Sequence, residues 1–283
     1  MNTAVAVLGA LLSALCFGVG SVLQHQAARR ASTRKALRLR LLVDLARRPM
    51  WVAGTALSIV SFAFLALALA FGPLVLVLPL AAMDLLFALP LLAWRRREPL
   101  TRVEAAGMVC TAGGVAVFLT ALPSSSSDSV ATVRDWVPSL AVFTGVVLLL
   151  APLGARVPGR VRTASYAVCA ALMLALLDGL TKSTAGRIRA DGLGILFHWE
   201  PYALMTVGVT SLVLSQSAFQ AGSLAIALPI IDTLEPIGAV AIGVAVFGEQ
   251  LALTTWALTV QMVGAGAAVT GIVLLGRSPL AEE

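Results

Sequence analysis

Charge is what this sequence has least of. Only 12% of its 283 residues are Asp, Glu, Lys or Arg, about half the share of a soluble domain. That excludes a soluble globular protein and, with 59% hydrophobic residues, a disordered chain. Cysteine is nearly absent: Cys16, Cys110 and Cys169 lie far apart inside apolar runs. They form neither a disulfide framework nor a thiolate metal site and read as small hydrophobes. There is no H-E-x-x-H and no G-x-S-x-G, and no His/Glu cluster falls in an apolar run, so the chain does not read as an intramembrane enzyme. No Lys or Arg precedes Arg29, which leaves the first apolar run without the basic start of a cleaved secretion signal. The net charge of +6 comes without basic stretches interleaved with aromatics, so nucleic acid is not an expected partner.

Long apolar runs dominate instead. A crossing needs about 20 apolar residues, and nine windows qualify: 4–28, 50–70, 73–94, 100–122, 136–153, 163–180, 200–220, 223–247 and 251–275. The expectation is an all-α polytopic membrane protein with nine transmembrane helices, multi-pass in the cell inner membrane, its surroundings the lipid bilayer. Sixteen of the 20 basic residues fall in the segments that are cytoplasmic if the N-terminus lies outside; Arg134, Lys182, Arg187 and Arg189 are the other four. The positive-inside rule therefore predicts N-out and C-in. Residues 35–48 set Leu37, Leu41, Leu42 and Leu45 among arginines, the pattern of a short interfacial helix. Residues 123–128 read as a flexible linker.

The chain also repeats itself. Gly72, Leu74, Leu78 and Pro79 match Gly222, Leu224, Leu228 and Pro229, and Glu98, Leu100, Gly113 and Ala116 match Glu249, Leu251, Gly264 and Ala267. More weakly, Cys16, His25 and Arg29 match Cys169, Asp178 and Lys182. Predicted helices one to four thus correspond to six to nine. The organisation is a first repeat over 1–155, containing helices one to five, and a second over 156–283. An odd number of spans per repeat makes the second copy enter the membrane inverted, a construction common in secondary transporters that work by alternating access.

Both halves carry an apolar helix, a Glu and then a Gly-rich helix: Glu98 to Leu122, and Phe247-Gly248-Glu249 to Leu275. In this the chain resembles the drug/metabolite transporter (EamA-like) superfamily. Phe17-Gly18-Val19-Gly20-Ser21, Trp51 with Gly54, and Ala70-Phe71-Gly72-Pro73 followed by Pro79-Leu80 make it most similar to the NIPA-type group. That resemblance implies nine spans and magnesium transport. Gln24-His25-Gln26 stands where members of that group tend to carry lysines.

Four acidic residues lie well inside predicted spans: Asp84, Asp178, Asp232 and Glu235. Burying a charge at mid-membrane costs roughly 2.5–3.5 kcal/mol, so such groups face a cavity or a partner. Asp232 and Glu235 are three apart, on one helix face, between Pro229 and Pro236. Carboxylates with proline-freed carbonyls suit a hard cation such as Mg²⁺. They equally suit protons coupled to export of small organic or cationic metabolites, or a kinked helix whose acids bond to neighbouring hydroxyls. Asp84, Asp232 and Glu235 are thus the candidate metal ligands, with Asp84 following Pro79 as Glu235 follows Pro229. Mg²⁺ or protons are expected as substrate or coupling ion, with no permanently bound cofactor.

Asp178 and Lys182 have the spacing of a local ion pair. His25 can titrate near neutral pH, and it joins Gln24, Gln216 and Gln220 as candidate pathway residues. Thr206, Thr210, Ser211, Ser215 and Ser217 make the seventh helix polar enough for a cavity wall, or for interhelical bonding. Glu98 and Glu249 are expected to serve the dipoles of the helices that follow them. Pro79, Pro229 and Pro236 are structural positions, and Gln261 is a minor candidate. Gly113-Gly114 and Gly264-x-Gly266 predict close helix approach within a protomer or across a homodimer. A non-transporting scaffold or sensor is the other class these features allow.

Overall fold

The computed structural model describes residues 2–29, 48–122, 131–221, 224–251 and 254–276. The expected interfacial helix (apart from Arg48) and the 123–128 linker lie outside the described residues. Ten α-helices follow one another: α1 (Thr3–Arg29), α2 (Pro49–Phe71), α3 (Leu74–Ala81), α4 (Leu85–Arg96), α5 (Arg102–Thr120), α6 (Val133–Arg156), α7 (Arg160–Asp191), α8 (Glu200–Ala221), α9 (Leu224–Phe247) and α10 (Thr255–Gly276). A 3₁₀ turn, Gly192–Phe197, joins α7 to α8. No strand occurs among the described residues.

Eight described stretches are long and apolar enough to cross a membrane: α1, α2, α3 with α4, α5, α6, α7, α9 and α10. The remaining helix, α8, has 22 residues, about 33 Å at 1.5 Å per residue, which is the thickness of a bilayer core. Large apolar side chains such as Val109, Leu149 and Met262 are about 70% exposed. In water that would be a liability; against lipid it is the expected surface. Trp94 and Trp256 are exposed near helix ends, where indole rings anchor a protein at the membrane interface.

Two predicted helices differ from the structure. The third window, 73–94, is not one helix but two, with residues 82–84 as a turn between α3 and α4. Pro79 and Pro90 bracket that turn. Each removes an intrahelical bond to the carbonyl four residues earlier, and the backbone tightens locally to Met83 N–H donating to the Leu80 carbonyl at 3.2 Å. The sixth window, 163–180, is the core of a much longer helix: α7 has 32 residues. It runs well beyond the expected outer end of the span, and Asp178 and Lys182 are consequently buried along it. By contrast α9 continues through Pro229 and Pro236.

Small residues set the close contacts. α1 packs along α2 and touches α3 and α4; α7 packs along α8 and α9; α5 pairs with α10. In that last pair the approach is reciprocal. A Cβ on Gly114 would come within 2.6 Å of the Gly264 carbonyl oxygen, and one on Gly264 within 2.7 Å of the Gly114 carbonyl oxygen. Only glycine admits two backbones this close. Gln261 reinforces the pair by donating to the Ala121 carbonyl at 3.0 Å. A Cβ on Gly113 or Gly266, expected to share the contact, would meet no other described residue within 4 Å outside its own helix backbone.

Candidate functional site

Asp84 sits in the turn between α3 and α4, at the N-cap position of α4. What permits the break is on α1: Gly18 lies so close to the Asp84 carbonyl that any Cβ there would collide with it. Gly20 faces the other way, against Gly54 and Ser58 of α2. The glycines of Phe17–Ser21 therefore let α1 bind α2 on one side and the broken span on the other.

Asp232 and Glu235 share one face of α9. Pro236 has no N–H to give the Asp232 carbonyl, four residues earlier, so residue 232 contributes an unsatisfied carbonyl as well as a carboxylate. Asp178 enters from α7, buried to 4% exposure, with no hydrogen-bond partner for its Oδ2. Its neighbour Gly179 makes room for Trp136 and Ile242. The carboxylates of Asp84, Asp232 and Glu235 lie within Coulombic reach of one another, and Asp178 within reach of Glu235. Asp84 from the turn before α4, Asp178 from α7, and Asp232 and Glu235 from α9 thus form one electrostatically linked set. Among the described residues, however, no three His, Cys, Asp or Glu side chains are gathered tightly enough to hold a metal ion directly. The Thr233 hydroxyl, beside Asp232, is also buried without a partner.

Other expected roles shift. Lys182 forms an ion pair with Glu249, far along the chain, and its ammonium also lies 4.6 Å from the centre of the Phe247 ring. Glu249 does not stand in the first turn of the helix that follows it. It accepts hydrogen bonds from the backbone N–H groups of Leu74 and Val75, at 2.8 and 2.9 Å, and so caps α3 from far along the chain. Glu98 is exposed, and the cap of α5 is a Thr101–Glu104 box instead. The polar face of α8 largely satisfies itself: Thr206, Thr210, Ser211 and Ser217 each donate to a carbonyl of their own helix. The side chains of Gln24, His25, Gln216, Gln220 and Pro229 lie outside the described residues.

Two sequence signals pointed to what was missed. The run Gly72-Pro73-Leu74-Val75 starts a helix with no Ser, Thr, Asp or Asn to cap it, so its free N–H groups needed an acceptor from elsewhere. Thr101-x-x-Glu104 is a capping box legible on its own.

Eight apolar helical stretches long enough to cross a bilayer, with acidic side chains among them, define a multi-pass membrane protein. The chain belongs to the magnesium transporter NIPA family, whose model matches residues 1–279. It is also 29% identical over 255 residues to an uncharacterised protein of Corynebacterium glutamicum, covering 89% of this chain and 87% of that one. No solved structure matches.

Proposed function

We propose that the protein is a secondary transporter that carries Mg²⁺ by alternating access, using nine spans arranged as an inverted repeat with the N-terminus outside. The observation that carries this is the grouping of acids: Asp84 before α4, Asp178 on α7, and Asp232 and Glu235 on α9 form one electrostatically linked set inside the bundle. Mg²⁺ gives up its waters reluctantly and is commonly held through one or two carboxylates with several waters retained. Acids spaced too widely for direct ligation suit a hydrated ion. The Asp232 carbonyl, freed by Pro236, adds an oxygen acceptor at the same place.

The inverted repeat is supported by the matching of predicted helices one to four with six to nine. The reciprocal glycine contact of α5 with α10 also supports it, as does the parallel packing of α1 on α2 and of α7 on α8. The positive-inside count supports the orientation.

One observation favours a second reading. Buried acids close enough to interact, one of them Asp178 with no hydrogen bond to its Oδ2, also fit protonatable groups that drive export of an organic cation. Uptake into proteoliposomes loaded with a Mg²⁺ indicator, beside a pH indicator, separates the two. Mg²⁺ entry that Asp232→Asn with Glu235→Gln abolishes supports the first. Proton flux driven by organic cations, with no Mg²⁺ entry, replaces it with the second.

A further inference from the structure

The junction of Lys182, Glu249 and α3 lies outside the linked set of acids and is built with more care than a loop contact requires. Glu249 is 2% exposed, and its carboxylate takes two backbone N–H groups and an ammonium. Gly243 clears the space for it: a Cβ there would strike the carboxylate. Phe247 sits under the ammonium and meets Trp136 edge to face at 5.9 Å; Trp136, wholly buried, meets Trp199 at 6.0 Å. Together these tie α3, α6, α7, α9 and the residue before α8 to one another. The α3 that Glu249 holds is a single continuous segment of eight residues. Its other end leads directly into Asp84, so a change at the cap is transmitted to those acids.

The counterpart in sequence is in a different state. Glu98 corresponds to Glu249, and the start of α9 at Leu224 corresponds to the start of α3 at Leu74. Yet Glu98 is exposed, while Glu249 is buried on a helix N-terminus. An inverted repeat supplies its two access states by exchanging the conformations of its halves. Equivalent residues in unequal environments mark the side that is closed.

We propose that Glu249 and Glu98 are alternating latches: Glu249 caps α3 and closes one end of the bundle in this structure, and in the other access state it releases α3 while Glu98 caps the first turn of α9. This rests on the alternating-access reading above. Glu249 cannot leave its partners inside a dry bundle, because an uncompensated buried charge is strongly unfavourable. Release therefore accompanies entry of water at that end, which is the opening itself. Both glutamates act as positioning residues; neither touches the transported ion.

The test uses the full chain in proteoliposomes with Cys16, Cys110 and Cys169 replaced by Ala. Ser183→Cys is the reporter, since Ser183 adjoins Lys182 and is 5% exposed. Glu249→Gln is expected to raise maleimide labelling of that cysteine about tenfold, the population shift produced by losing one charge-assisted hydrogen bond. Glu98→Gln disturbs no described side-chain contact, yet is expected to cut Mg²⁺ uptake about tenfold while labelling stays low. Unchanged labelling in Glu249→Gln, or full uptake in Glu98→Gln, overturns the latch. Should Glu249→Gln fail to fold, the uptake of Glu98→Gln decides alone. Labelling that shifts as expected in a protein whose parent shows no uptake overturns the transport reading and leaves the paired gating intact.

Discussion

The α3–α4 span and α9 hold corresponding places in the proposed repeat, and each carries a proline followed by acid. One is broken at its acid and the other is not. The difference lies in the neighbours. Opposite Asp84 is Gly18, which lets the α1 backbone lie against the turn. Along α9, Gly238 packs against Ala175 of α7, and Ala239 and Ile242 are fully buried, so packing keeps the helix continuous. Proline weakens a helix in both places; only a close neighbour able to accept a turn converts weakness into a break. Two ways of presenting an acid result. Asp84 is offered from a turn, and Asp232 and Glu235 from a continuous face with one freed carbonyl.

The sharpest way to break this comparison is to remove the acids on the continuous side. Asp232→Asn with Glu235→Gln is expected to lower initial Mg²⁺ uptake by about a hundredfold or more, two charge-assisted contacts being lost together. Uptake within twofold (roughly) of the parent, at equal protein in the vesicles, would separate these residues from transport. Next is the broken side. Gly18→Val drives a side chain into the Asp84 carbonyl, and the expected cost is about 1–3 kcal/mol of stability, seen as a lower melting temperature in detergent, with uptake reduced. A melting curve identical to the parent's would mean that α1 does not support the turn.

A smaller effect sharpens the contrast between the helices. Pro236→Ala gives residue 232 back its intrahelical bond, so the helix is expected to gain about 1 kcal/mol while Mg²⁺ affinity falls. Stabilisation with unchanged affinity would take the Asp232 carbonyl out of the site. Least of all is expected from Thr206→Ala on α8, whose hydroxyl only returns to its own helix. Its melting temperature should correspond to a change within about 0.5 kcal/mol, with uptake at the parent level. A clear loss of uptake would restore the polar face of α8 as part of the pathway.

Much of the fold was legible because bilayer thickness and apolar composition leave few alternatives. Each observed long helix overlaps a window read from the sequence alone. The acids were equally legible, since Asp84, Asp178, Asp232 and Glu235 stand out in runs otherwise without charge. Their partners were not. Spacing along one helix assigned Lys182 to Asp178, because i,i+4 neighbours are the only contacts a linear pattern contains. The structure pairs it with Glu249, 67 positions away. Likewise Glu249 looked like a dipole residue for the helix after it, when the unmet N–H groups of Leu74 and Val75 were its partners.

The sequence by itself determined that the chain is a bundle of membrane helices with acids inside it. Hydrophobic length and the cost of buried charge are properties of single segments, and both are written locally. Tertiary structure alone decided where a span breaks and which ammonium meets which carboxylate. Those outcomes depend on how closely two backbones approach and on which unsatisfied groups then meet, and neither is carried by any one stretch of residues.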